Sequence, residues 1–349
     1  GIRDIGVTGV QTCALPISPR WLRGAHLQST LPSFPGRRPM VERRARPLLA
    51  ASRELLLDCG DGVRLQAFHA AAPPAARAAC RAPGRPTAVL LHGWEGSARS
   101  LYVLSLAQTL FEHGHDVVRL NLRDHGDTHH LNRELFHSCR LPEVVGAVRS
   151  LQALMPAQPL ALAGFSLGGN FMLRVAAEAP AAGLRIARAI GISPVLHPTT
   201  SMDALENGPA IYRRYFIHKW TRSLRRKQAA WPGEFEFGDL LSSGDLRRMT
   251  HELVSRHSGF GEVADYFDGY AITEGRLAGL QVPSTIVAAL DDPIIPAVDL
   301  PRLARPPALR VVTTATGGHC GFFDRWSGPG WVDRFVVAEL ARDAARELF

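Results

Sequence analysis

The reactive chemistry of this chain is concentrated in one short run, Gly164-Phe165-Ser166-Leu167-Gly168. The run follows the apolar segment Leu160–Ala163 and precedes a helical pattern that starts near Asn170. A serine at such a strand-to-helix turn is presented as a nucleophile, and small residues two positions either side let strand and helix approach closely. Gly164 and Gly168 meet that need, and Gly169 adds to it. A serine hydroxyl is a weak nucleophile and needs a base that an acid orients. Behind an elbow of this kind the acid comes next along the chain and the histidine last. Asp291-Asp292-Pro293 follows the strand-like run Ser284–Leu290, and His319 follows Leu309–Thr314 in Gly317-Gly318-His319. Either aspartate could serve. Asp292, four residues before Pro296 in a DPIIP loop, is assigned as the acid, and Asp291 as a turn-capping carboxylate.

Attack on a carbonyl also needs donors for the tetrahedral oxyanion, each worth on the order of 3 kcal/mol when removed. The backbone N–H of Leu167, at the start of the helix behind the nucleophile, is one candidate. The backbone N–H of Trp94, in the loop His92-Gly93-Trp94-Glu95-Gly96 after the run Ala88–Leu91, is the other. The Trp94 side chain either lines an acyl pocket or simply packs. His113, His115, Asp124, His125, His129 and His130 lie in loops around a strand, without the i, i+4 spacing or cysteine partners of a metal site. The expectation is therefore no metal and no cofactor, with His125 and Gly126 shaping a loop near the site.

Several elements must position these groups. Glu54–Cys59 and Val63–Phe68 flank Gly60-Asp61-Gly62 and read as a β-hairpin. Residues 18–50, rich in Pro and Arg, read as an irregular arm, and 69–86 as an Ala/Pro/Arg connector. From Thr87 strands alternate with helices: 88–91, 115–121, 160–163, 186–192, 284–290 and 309–314 are strand-like. Helices are read at 101–111, 141–154, 171–178 and 331–348. That alternation implies an α/β fold, a mostly parallel sheet flanked by helices. Residues 199–278 interrupt it, with no defensible strand, and read as a helical cap insertion. The division is thus 18–198 for the arm and first part of the core, 199–278 for the cap, and 279–349 for the rest of the core. Within the cap Tyr212, Phe216 and Trp220 recur every four residues, and no acidic residue lies between Gly208 and Gly233. One reading packs this aromatic stripe on the domain below; the other lays the helix against anionic lipid.

Bulk properties exclude several classes. The 349 residues are 46% hydrophobic and 21% charged, with net charge +8, carried almost wholly by arginine because Lys219 and Lys227 are the only lysines. No apolar stretch reaches the roughly 18 residues of a membrane span, and no basic run interleaved with aromatics marks a nucleic-acid module. Cys13, Cys59, Cys80, Cys139 and Cys320 show neither disulfide nor zinc spacing, so a cytoplasmic, reduced setting is the default. Residues 1–17, GIRDIGVTGVQTCALPI, differ in composition from the Arg/Ala-rich remainder of the chain and resemble the in-frame translation of a short-read sequencing adapter. They are expected to make few contacts with the domain, and the native N-terminus and any signal upstream of it are expected to be missing.

Taken together, WLRGAHLQSTLP (21–32), LLHGWEGS (90–97), NLRDHGDTHH (121–130) with FHSC (136–139), GFSLGGN (164–170), GFGEVADYF (259–267), ALDDPIIP (289–296) and GGHCGF (317–322) resemble the YheT-like branch of the α/β-hydrolases, bacterial relatives of ABHD-type lipases. The resemblance runs from about Trp21 to Phe322. It implies an α/β-hydrolase fold and cofactor-independent esterase or lipase activity on a small ester or a lipid such as a monoacylglycerol or phospholipid. Some relatives pass the acyl group to an alcohol instead. Asp127-Thr128 departs from the smaller residues that relatives carry in this loop.

Overall fold

The computed structural model describes residues 10–13, 18–79 and 85–342. Strand β1 is Val10–Cys13. The arm follows: a 3-10 turn (Arg20–Leu22), α1 (Ala25–Thr30), two further 3-10 turns (Leu31–Ser33 and Pro35–Arg37), α2 (Arg38–Arg44) and, directly after it, α3 (Arg46–Ala51). Then come β2 (Ser52–Asp58), β3 (Arg64–Ala70), α4 (Pro74–Ala79), β4 (Thr87–Leu91), α5 (Leu101–Glu112), β5 (Val117–Leu120), α6 (Leu141–Leu154), β6 (Leu160–Phe165), α7 (Leu167–Ala182) and β7 (Ile186–Ile192). Helices α8 (Pro198–Asn207), α9 (Ala210–Ala230), α10 (Leu246–His257) and α11 (Val263–Asp268) precede β8 (Ser284–Ala289), β9 (Leu309–Thr314) and α12 (Trp331–Ala341).

The strands form one sheet in the order β1-β9-β8-β7-β6-β4-β5-β3-β2. Only the β2·β3 and β3·β5 pairings are antiparallel. The hairpin turn takes positive φ at Gly60, Asp61 and Gly62. Strands β4 and β6, at the middle of the sheet, are almost wholly apolar because both their faces are covered. Val89, Leu91, Leu160 and Leu162 face α6 and α7, while Ala88, Leu90, Ala161, Ala163 and Phe165 face α5 and α12. This is the period of two in a pleated strand. Among the described residues no helix is long and apolar enough to cross a membrane.

Three expectations need correction. The arm is helical rather than irregular, and α4 falls inside the segment read as a connector, where its alanines favour the helix. Residues 10–13, expected to lie apart, pair in parallel with β9 from Val10↔Val311 to Cys13↔Thr314. An edge strand presents a row of free backbone groups that any extended segment can satisfy, whatever its side-chain pattern. The remainder of 1–17 and Cys80 lie outside the described residues.

Candidate active site

Ser166 is the N-cap of α7, with φ 53° and ψ −121°. Positive φ costs a non-glycine residue on the order of 1–3 kcal/mol, so the surroundings must hold it there. The Ser166 N–H donates to Ile192 O at 2.8 Å, and Ser166 O accepts from Asn170 N–H at 3.0 Å. A Cβ on Gly164 would overlap the backbone of Gly168, and one on Gly168 would overlap His92 O. Only glycines allow strand, turn and helix this close. Asn170, fully buried, donates through Nδ2 to Val195 O (2.9 Å) and Tyr270 O (2.7 Å), so it binds the elbow helix to the segments around the insertion.

At the same sheet edge, past the end of β8, Asp292 Oδ2 accepts from His319 Nδ1–H at 2.9 Å. Its Oδ1 accepts from Ile294 N–H (2.8 Å) and Ile295 N–H (2.9 Å). Those two donors suit a carboxylate and fix its plane. Asp291 instead accepts from Gly318 N–H at 2.8 Å. Burial of the His319 imidazole works to lower its pKa, but the Asp292 carboxylate, helped by Cys320, outweighs burial and holds it well above the usual histidine value.

Leu167 N–H heads α7, where the helix dipole favours negative charge. Trp94 lies in the loop after β4. Gly93 N–H donates to Tyr102 Oη at 3.1 Å, and Glu95 N–H donates to His125 Nε2 at 3.1 Å. The next residue, Glu95, has φ 56°. These bonds fix the backbone on both sides of Trp94. His92 and His125 each place Nδ1 on a backbone carbonyl, at 2.7 Å in both cases. Burial keeps His92 well below the ordinary value and brings His125 down to about 4, so both are neutral and structural near pH 7.

Ser166, Leu167 and Trp94 open into a cavity with Phe216, Trp220 and Leu224 of α9, Leu253 and Val254 of α10, and Phe267 among its walls. Trp94 stacks on Phe216 (5.1 Å, 12°) and meets Trp220 edge-on. It therefore lines the cavity and packs at once. Phe216 and Trp220 of the aromatic stripe face this cavity, and Tyr212 is buried against the arm, its hydroxyl 2.8 Å from His26 Nδ1. The inward-packing reading of the stripe thus holds for this face of the helix.

Two ionisable features of the cavity were not read from the sequence. Glu95 lines it with a carboxyl that burial pushes up to about 8; Lys219 opposes the shift and Asp124 adds to it. Lys227 is buried, with Nζ 2.9 Å from Asp124 Oδ1, 2.6 Å from Asn132 O and 3.1 Å from Glu134 O. The only sequence signal for that pair was that Lys227 is one of just two lysines in an otherwise arginine-based chain.

A family model described as alpha/beta hydrolase fold matches residues 86–325. The chain is 27% identical over 247 residues to "Putative esterase YheT" of Escherichia coli (strain K12), covering 69% of this chain and 72% of that protein. It is 22% identical to "Phospholipase ABHD3" of Mus musculus, over 69% of this chain and 59% of that one. It is also 23% identical to "Monoacylglycerol lipase" of Saccharomyces cerevisiae, over 71% and 57%. The chain thus spans under two thirds of the last two relatives. Among solved structures, a membrane phospholipase A described as a bacterial virulence factor superposes with a TM-score of 0.53 at 18% identity, covering 92% of this chain and 94% of that one. A Pyrococcus furiosus esterase does so at 0.53 and 12%, covering 84% and 89%. The matched family model, the sheet order and the serine elbow at its centre agree: the chain belongs to the alpha/beta hydrolase fold family.

Proposed function

We propose that this chain is a carboxylic-ester hydrolase that works through an acyl-enzyme on Ser166. Ser166 Oγ attacks the ester carbonyl carbon as its proton passes to His319 Nε2, and Asp292 holds the imidazole with Nδ1 protonated. The N–H groups of Trp94 and Leu167 receive the oxyanion. Collapse of the intermediate breaks the carbon–alkoxy bond, and the alcohol leaves with the His319 proton. Water, deprotonated by His319, then attacks the acyl carbon and releases the acid and Ser166. The observation that carries this reading is the Asp292–His319 pair, 2.9 Å apart at the sheet edge that also bears the strained Ser166. Ser166→Ala is expected to fold and to lose labelling by a fluorophosphonate probe; undiminished labelling would overturn the assignment.

The cavity walls supplied by Leu205, Leu253, Val254 and Phe267 suit an acyl chain, which favours lipid-like esters such as monoacylglycerols over small polar ones. Activity on p-nitrophenyl esters should rise from short to medium chains, and a flat profile counts against it. Transfer of the acyl group to an alcohol is the rival outcome, read as ester formation when alcohol is added. The insertion between β7 and β8 acts as the cap of this site.

The outward face of α9 supports a second proposal, peripheral contact with anionic lipid. Arg214, Arg222 and Arg225 share a groove with His218 and Ile217, while Ile211 and Tyr215 are exposed nearby on the same helix. Basic residues beside exposed apolar ones are what an interfacial helix needs. Reversing those three arginines should weaken binding to phosphatidylglycerol vesicles; a parent protein that binds none disposes of the idea. The thiols of Cys59, Cys139 and Cys320 are free, which suits the cytoplasmic setting proposed here and is testable by cell fractionation.

A further inference from the structure

The loop that carries His319 is poorly supported by its own sequence. Within it Gly318, Cys320 and Phe322 all take positive φ, at 53°, 62° and 48°. Two of these are not glycine, so the loop holds its shape only where neighbours over-determine it. Asp291 and Asp292 grip it from the loop after β8, through Gly318 N–H and His319 Nδ1. The other side is held by the arm.

Ser29 Oγ, on α1, accepts from His319 N–H at 2.8 Å and donates to Ala25 O at 2.7 Å. Gln28, next to it, is fully buried and brackets Phe323 from both sides. Its Nε2 donates to Phe323 O (2.9 Å), and its Oε1 accepts from Phe323 N–H (2.8 Å). The same Nε2 reaches Leu22 O at 2.7 Å, and Ser18 Oγ donates to Phe323 O at 2.6 Å. A Cβ on Gly318 would overlap Ala25 O, and one on Gly321 would overlap Gln28 O, so arm and loop meet backbone to backbone. The segment from Ser18 to Ser29 thus presents its polar groups to residues 319–323.

We propose that the arm is part of the catalytic apparatus: Ser29 and Gln28 are positioning residues that clamp the loop so that the His319 imidazole stays in register with Asp292 and Ser166. The inference rests on the reading of His319 as the base. It treats α1 as a brace for chemistry rather than as a cover for the sheet. Loss of the Ser29 acceptor frees the His319 backbone while the fold stays closed through Gln28. A base displaced by about 1 Å costs up to roughly 100-fold in rate.

The test uses the full chain with Ser29→Ala, Ser29→Cys and His319→Ala, reading kcat, KM and melting temperature on a p-nitrophenyl ester. Ser29→Ala should lower kcat about 10-fold or more while KM and the melting temperature stay at the parent values. Ser29→Cys, which keeps the shape with a weaker acceptor, should fall between. Parent-like kcat in Ser29→Ala overturns the inference. So does a loss of kcat that only tracks a lower melting temperature, because a purely structural role moves both together. His319→Ala separates the two claims. If it is inactive while Ser29→Ala equals the parent, the clamp alone is wrong; if it stays active, the reading of His319 as base falls first.

Discussion

Two adjacent aspartates divide the work at the end of β8. Asp292 accepts from the His319 imidazole, whereas Asp291 accepts from Gly318 N–H. Asp292→Asn should lower kcat by up to about 10⁴-fold, because the amide cannot hold the required tautomer. Asp291→Asn keeps an oxygen for Gly318 N–H and should cost far less. A steady-state comparison in which Asp291→Asn is the more damaging change would reverse the assignment. On the proposed mechanism His319 acts as base only when neutral, so activity should climb as pH rises through its pKa. Since Asp292 holds that pKa above the ordinary histidine value against the effect of burial, the acid limb of kcat/KM should have its midpoint above about 6.5. Glu95 gives a second limb. Its carboxyl is neutral below about 8 and becomes a charge in an apolar-walled cavity above that. KM for apolar esters should therefore rise at alkaline pH, and Glu95→Gln should flatten the rise. Asp292 could be preferred from the sequence through its DPIIP context. Glu95 could not, because its protonation depends on walls contributed by α9, distant in the chain.

Elements that were legible share one property: they are buried on both sides or punctuated by glycine. The strands β4, β6, β8 and β9 read as apolar runs because helices cover both faces of the sheet. The elbow was legible because glycines at 164 and 168 are a steric requirement there. The arm was not. Its helices have six or seven residues, too short for a hydrophobic period, and what orders α1 is hydrogen bonding to residues about 295 positions away. Helix α9 was read as one stripe but has three jobs along its length, joining the arm at Tyr212, walling the cavity at Phe216 and Trp220, and locking to the core at Lys227. That lock sets an expectation for stability. Lys227→Met leaves the Asp124 carboxylate buried without its ammonium partner and should cost about 3–5 kcal/mol in urea denaturation. Adding Asp124→Asn should return part of the loss. Equal stability of parent and Lys227→Met would show that α9 is held by its aromatic face alone.

At the scale of the whole molecule, the proposed reactive groups come from residues 166, 292 and 319, brought to one edge by parallel strands whose order places β6 and β9 three positions apart. That arrangement follows from strand–helix alternation and was readable from sequence. The sheet's extent beyond β9 was not, because the pairing with residues 10–13 uses backbone and no side-chain pattern announces it. The described part of the adapter-like segment, residues 10–13, lies at the sheet edge four positions from β6, so removing residues 1–17 should leave kcat/KM unchanged, as an ester assay on the shortened chain would show. A loss of activity would mean that the segment is integral to the fold.

The same shortening has a consequence for how the protein behaves at high concentration. Val10–Cys13 caps β9, a strand whose paired residues Val311, Val312, Thr313 and Thr314 are all β-branched. Without that cap the chain carries an open, sticky rim on its main sheet, and a second molecule can dock there strand against strand. The shortened protein should therefore elute as a concentration-dependent dimer, or scatter light on standing, while each copy remains as active as before.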